Sequence, residues 1–143
     1  SDGNSNGNSQ GTGQTTTTED SYVDEVIRIV NEERAKQGLQ PLKKNNDLCK
    51  VAGIRATETT SLFSHTRPNG ESCFTILKEY NISYMTVGEN IAAGQQTPAE
   101  VMNAWMNSQG HRENIMNSSF GQIGVGVVKG GSYGIYWVQM FTN

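Results

Sequence analysis

An α+β fold, with helices covering an antiparallel sheet, is the architecture this sequence predicts, and three observations predict it. Val23, Val26, Ile27 and Val30 recur at helical spacing near the start. Thr97-Pro98-Ala99-Glu100 combines a capping threonine, a proline at the first helical position and a glutamate three residues on, the signature of a helix start. QIGVGVVKG (122–130) and YGIYWVQMF (133–141) are rich in β-branched and aromatic residues, and Lys129-Gly130-Gly131-Ser132 between them suits a hairpin turn. Helices first and a hairpin last place an antiparallel sheet under helical cover.

Taken in order, residues 1–18 contain no large apolar side chain and a single charge, so they read as a disordered tether. Tethers of this composition separate an exported domain from its signal peptide or anchor, so export is expected. One domain then occupies residues 19–143. Its first helix begins at Glu19 with acidic residues in the first turn and stops at Gly38. Pro41 keeps residues 39–42 extended. Asn45 or Asn46 caps a second helix whose inner face is Leu48, Val51, Ala52 and Ala56, with Cys49 leaning into it. LFSHTRPNG (62–70) is a loop with a Pro68-Asn69-Gly70 turn, and it presents His65. Phe74 and Leu77, joined by Ile76, pack a short helix near Cys73 that Asn81 breaks. Residues 85–92 read as a strand in which Glu89 sits between apolar neighbours, so its carboxylate must be paired or solvated at a cleft. Val101, Met102, Trp105 and Met106 form the inner face of the helix that starts at Thr97.

Composition narrows the partners. A hydrophobic content of 34% suits one globular core, and the net charge is −3 with 11 basic residues that form no run, so no nucleic acid partner is expected. No apolar stretch reaches the roughly 18 residues of a transmembrane segment. The two cysteines, Cys49 and Cys73, fit no metal or redox spacing. In an exported domain the even count suggests a disulfide closing a loop of about 25 residues, worth about 3 kcal/mol, with two separately buried thiols as the other reading.

The chemistry gathers in AWMNSQGHRENI (104–115), which holds Ser108 and His111, one of two histidines in the chain. On a helical turn Ser108 and His111 face the same way and share one pocket wall. Ser108 also reads as the cap of a short helix over Gln109–Met116, offering its oxygen to a backbone N–H near His111.

FSHTRPNG, GENIAAG and AWMNSQGHRENIMN, followed by IGVGVV and YWVQMF, resemble the motifs of the CAP superfamily in its bacterial SCP-like secreted form. That superfamily includes cysteine-rich secretory proteins, venom antigen 5 proteins and plant pathogenesis-related proteins. The resemblance implies a three-layer α-β-α sandwich with a central, mainly antiparallel sheet and a cleft holding two histidines and two glutamates. His65, Glu89 and His111 match three of those four positions. The fourth falls three residues after Trp105, where this chain has Ser108.

Such a set supports three kinds of chemistry. His65, His111 and Glu89 can hold Zn²⁺ or another divalent cation with positions left open. Glu89 can orient His111 or His65 as a base toward Ser108 or a water, giving a peptidase or esterase. The cleft can also serve as a recognition surface for a peptide, glycan or lipid. With no nucleophile elbow or HExxH motif in the chain, the leading expectation is an exported binding module of the cell surface or surroundings, with the hydrolase as the alternative.

Overall fold

The structure is a computed structural model that describes residues 17–143. The Asp20 backbone N–H donates to the Thr17 hydroxyl at 3.0 Å, and Thr17 N–H donates back to the Asp20 carboxylate at 3.4 Å. This capping box starts α1 (Thr18–Lys36), and Gly38, at φ +73°, follows its end. The last two residues of the stretch expected to be tether are therefore the cap and first residue of a helix; residues 1–16 lie outside the described residues. Beyond α1 come β1 (Lys43–Lys44), α2 (Asn46–Ser61), α3 (Thr75–Glu79), β2 (Val87–Ala93), α4 (Pro98–Met106), α5 (Gln109–Ile115), β3 (Gln122–Lys129) and β4 (Ile135–Thr142). Asn45 caps α2 by accepting from Leu48 N–H at 3.0 Å, and Thr97 caps α4 through Glu100 N–H at 3.1 Å.

The strand order is β1-β3-β4-β2. β3 and β4 form the antiparallel hairpin, β2 pairs antiparallel with β4, and the two-residue β1 runs parallel to β3. One sheet face, with Ile123, Val125, Val127, Trp137 and Phe141, packs on α1, α4 and α5; the other, with Ile91, Val138 and Met140, packs on α2 and α3. This is the three-layer sandwich expected. Because both faces are covered, all eight residues of β4 are buried and no polar alternation survives in its sequence. α2 rests directly on β3: a Cβ at Gly124 or Gly126 would overlap the backbone of Leu48 or Ala52.

Two expectations are corrected. β4 begins at Ile135 rather than Tyr133, because Gly130, Gly131 and Gly134 all take positive φ and extend the turn to five residues. The disulfide is not formed: Cys49 and Cys73 are free thiols. Cys49 sits against the backbone of Val125 on β3, whereas Cys73 sits against Glu89 on β2. Those strands are two places apart in the sheet, so the two thiols stand over different strands.

Candidate functional site

β2 is an edge strand, and the site is built where the two helical layers meet around it. Its outward carbonyls are covered by side chains of the α4–α5 layer: Trp105 Nε1 donates to Ile91 O at 3.1 Å and Asn114 Nδ2 to Glu89 O at 3.3 Å. The Glu89 side chain turns the other way, toward α2, and is fully buried.

Arg55 receives it. The buried stripe of α2 runs through Leu48, Val51, Ala52, Ala56 and Thr59, and Arg55 falls inside that stripe. Its Nε donates to Glu89 Oε2 at 2.7 Å and its Nη2 to Glu89 Oε1 at 3.2 Å, a bidentate pair. The same guanidinium donates to Glu58 Oε1 at 2.8 Å and to the carbonyl of Ser64 at 2.8 Å. Glu58 in turn accepts from Arg67 at 2.8 Å, and Arg67 donates to Glu79 at 2.9 Å. Alternating charges thus run from α3 through the loop and α2 to the sheet. They clamp the loop over 62–72 that carries His65.

The His65 ring lies 2.7 Å from Glu89 through Nδ1, and its side chain is 57% exposed. Burial works to raise the Glu89 pKa, but the bonds from His65 and Arg55 and the charge of Arg55 outweigh it and hold the carboxyl below its usual range. Glu89 is therefore ionised and accepting, and the proton of the contact belongs to His65 Nδ1. Cys73 N–H donates to His65 O at 2.9 Å, which folds the loop back on itself. This brings the buried Cys73 thiol to Glu89 as well. Burial, and then the charge of Glu89, push that thiol up to about 12. His65, Thr66, Cys73, Phe74, Val87, Glu89 and Asn114 line the cleft, of about 480 Å³.

His111 approaches from the other layer, on the first turn of α5. Its carbonyl accepts from Asn90 Nδ2 at 3.1 Å, and Asn90 is tied to Gln139 and Asn114 by bonds of 2.9 Å each. The His111 Nδ1 is buried and has no hydrogen-bond partner among the described residues. Burial, and then the charge of His65, hold His111 below the ordinary imidazole value. Ser108 occupies the N-cap position of α5 but makes no capping hydrogen bond. Its backbone is extended (φ −114°, ψ 122°), so the helical spacing that would align it with His111 does not apply, and no hydrogen bond joins the two side chains among the described residues. The helix it opens ends at Ile115, with Met116 as its C-cap.

The structure thus brings His65 and Glu89 together, holds the His111 backbone on the other face of β2 with its ring near enough to feel the charge of His65, and among the described residues joins Ser108 to neither histidine by a side-chain hydrogen bond. Among the described residues, the one group of three whose ligating atoms lie within 4.8 Å of one another is His65, Cys73 and Glu89. Sequence reasoning missed Arg55, Glu58, Arg67 and Cys73. For Arg55 a signal existed: a charge inside the apolar stripe of a helix must find a buried counter-charge.

The profile of the cysteine-rich secretory protein (CAP) family matches residues 27–141. An uncharacterized protein of Bacillus subtilis, YkwD, is 46% identical over 124 residues, which cover 85% of this chain and 47% of that protein. The crystal structure of an extracellular protein containing an SCP domain from Bacillus anthracis is similar with a TM-score of 0.78 and 26% identity, covering 87% of this chain and 41% of that one. An outer surface protein of Borrelia burgdorferi is similar with a TM-score of 0.76 and 26% identity, over 84% of this chain and 90% of that one. The chain spans less than half the length of the two Bacillus proteins.

Proposed function

The chain belongs to the cysteine-rich secretory protein family, and on that footing we propose that it is an exported binding module of the cell surface or its surroundings, whose cleft takes a divalent cation or a small polar ligand at His65. The observation that carries this reading is the pair of His65 and Glu89. A buried carboxylate, held by a buried arginine, fixes a half-exposed imidazole at the mouth of a cleft. Two fixed groups behind one presented ring is the layout of a preorganised donor. The extracellular and outer-surface proteins of similar fold support the location, and no helix among the described residues is long and apolar enough to cross a membrane.

The hydrolase alternative has less to work with. It needs a hydroxyl or thiol next to a base, yet among the described residues Ser108 makes no side-chain hydrogen bond to either imidazole, and the Cys73 thiol is held protonated beside a carboxylate. A cation such as Zn²⁺, when bound, would act as a Lewis acid or an anchor for an anionic group of a larger ligand. Calorimetry with Zn²⁺ at pH 7.5 tests the reading. The wild type is expected to bind, and His65→Ala to lose at least tenfold in affinity, while Ser108→Ala binds as the wild type does. A wild type that binds no divalent cation, or a His65→Ala variant with full affinity, overturns it. Ester or peptide turnover that disappears with Ser108→Ala would put the hydrolase in its place.

A further inference from the structure

A cation site at His65 leaves its second donor open: the His111 backbone is held on the other face of β2, and the ligating atoms that gather with those of His65 belong to Cys73 and Glu89. We propose that the cleft is a mixed sulfur, nitrogen and oxygen site for a thiophilic divalent cation, in which Cys73 Sγ, His65 Nδ1 and a Glu89 oxygen are the ligands and His111 is not. This rests on the reading of the cleft as a cation site and adds the ligand set and the metal class.

Geometry comes first. The ligating atoms of these three residues already lie within 4.8 Å of one another. Cys73 and Glu89 are buried, and His65, exposed, closes the group from the solvent side. Glu89 has about four lone-pair positions as a carboxylate. Two are fixed by Arg55, whose own contacts to Glu58 and Ser64 hold it still. The other two hold exchangeable protons, one on His65 Nδ1 and one on the Cys73 thiol. A cation entering here replaces those two hydrogen bonds and leaves Arg55 behind the ligands as their support.

Charge points the same way. Arg55 and Arg67 balance Glu58 and Glu79 along the ion-pair chain, so Glu89 stands as the one charge of this group without a match by count. A thiolate at Cys73 would add a second negative charge, and a divalent cation brings the buried group to neutrality. A carboxylate and imidazole alone would suit many divalent ions, whereas the sulfur selects soft and borderline ones, Zn²⁺ and Cd²⁺ above Mg²⁺ and Ca²⁺. The proton balance is definite. The Cys73 S–H bond breaks, sulfur keeps the electron pair as a metal–sulfur bond forms, and one proton leaves to solvent. The Nδ1 proton of His65 is given up while Nε2 takes one, so the imidazole stays neutral.

Titration of the full chain with Cd²⁺ and Zn²⁺ under reducing conditions decides it. Cd²⁺ is expected to raise an ultraviolet thiolate charge-transfer band that saturates at one equivalent, persists in Cys49→Ser and is lost in Cys73→Ser. Zn²⁺ affinity should fall at least tenfold in Cys73→Ser and stay within about twofold in His111→Ala, and calorimetry in two buffers should count one proton released per ion. A thiol-alkylation assay in Cys49→Ser, where Zn²⁺ is expected to slow modification of Cys73 at least tenfold, gives an answer even if Cys73→Ser folds poorly. Zn²⁺ binding that survives Cys73→Ser but is lost in both His65→Ala and His111→Ala overturns the ligand set and leaves the proposed function standing. Absence of any Zn²⁺ or Cd²⁺ binding by the wild type overturns both.

Discussion

Arg34, near the end of α1, and Arg55, in the middle of α2, are both withdrawn from water on opposite sides of the sheet, and they are held in different ways. Arg34 donates to three carbonyls: Gln40 at 2.8 Å, and Ile115 and Asn117 at 2.9 Å each. Its bonds tie the end of α1 to the end of α5, where the carbonyls carry the negative pole of the helix. Burial draws its pKa down. Burial also works against Arg55, but its bonds to Glu89 and Glu58 outweigh that and push its pKa up. A buried cation facing carbonyls is a clip with no titrating partner. One facing carboxylates fixes a charge in place, and the cleft lies on that side.

Removing each arginine tests that contrast most severely. Arg55→Met leaves Glu89 buried with only His65 and Cys73 as partners, and is expected to cost about 3–5 kcal/mol in denaturant unfolding. Adding Glu89→Gln to that variant should recover part of the loss, because the uncompensated charge is gone. Arg34→Met orphans the carbonyls it served and is expected to cost about 1–3 kcal/mol, with Zn²⁺ affinity at the cleft unchanged. If the proposed Zn²⁺ binding fell as far in Arg34→Met as in Arg55→Met, the two regions would not be separable.

Acid sharpens the same contrast. Glu89 and Glu58 both hold folded pKa values below the ordinary carboxyl value: burial works to raise each, but the bonds from His65 and Arg55 outweigh it for Glu89, and those from Arg67 and Arg55 outweigh it for Glu58. Their stabilisation is complete above about pH 4.3 and is lost as pH falls through their depressed folded values. Unfolding measured against pH should therefore steepen below about pH 4. Glu89→Gln should flatten that limb by up to one proton, about 1.4 kcal/mol per pH unit, whereas Arg34→Met should leave its slope intact.

The smallest effect concerns the helix that Arg34 clips. Since α5 has no capping hydrogen bond from Ser108, Ser108→Ala is expected to change stability by less than about 0.5 kcal/mol. Thr97→Ala, which removes the cap of α4, should cost about 1 kcal/mol. Equal losses in the two variants would show that Ser108 does hold the start of α5.

Much of this fold was legible in the sequence because its signals are local. Thr97 and Asn45 cap helices as their neighbours suggest, and the period of Val26, Ile27 and Val30 gives the buried face of α1. Where reading failed, the deciding contact was distant or conformational. Nothing near Cys73 in the chain announces Glu89, so an even cysteine count suggested a bridge where the structure has two free thiols. Ser108 and His111 share a helical face only if both are helical, and Ser108 is not. Arg55 lay in plain view on the apolar stripe of α2, and asking which carboxylate must meet it would have led to Glu89.

The strand order has a consequence for how the molecule comes into being. β1 joins the sheet only through β3, and β2 only through β4, so neither earlier strand has a ladder partner until the closing hairpin exists. The chain must meet the entropy of two long loop closures before any of those pairings returns it. A polypeptide emerging N-terminus first can therefore gather helices along its length but cannot accumulate a half-built sheet to misassemble. It stays threadable until the β3–β4 hairpin arrives. The β2 edge, with Glu89 on it, settles into the sheet in that same last event.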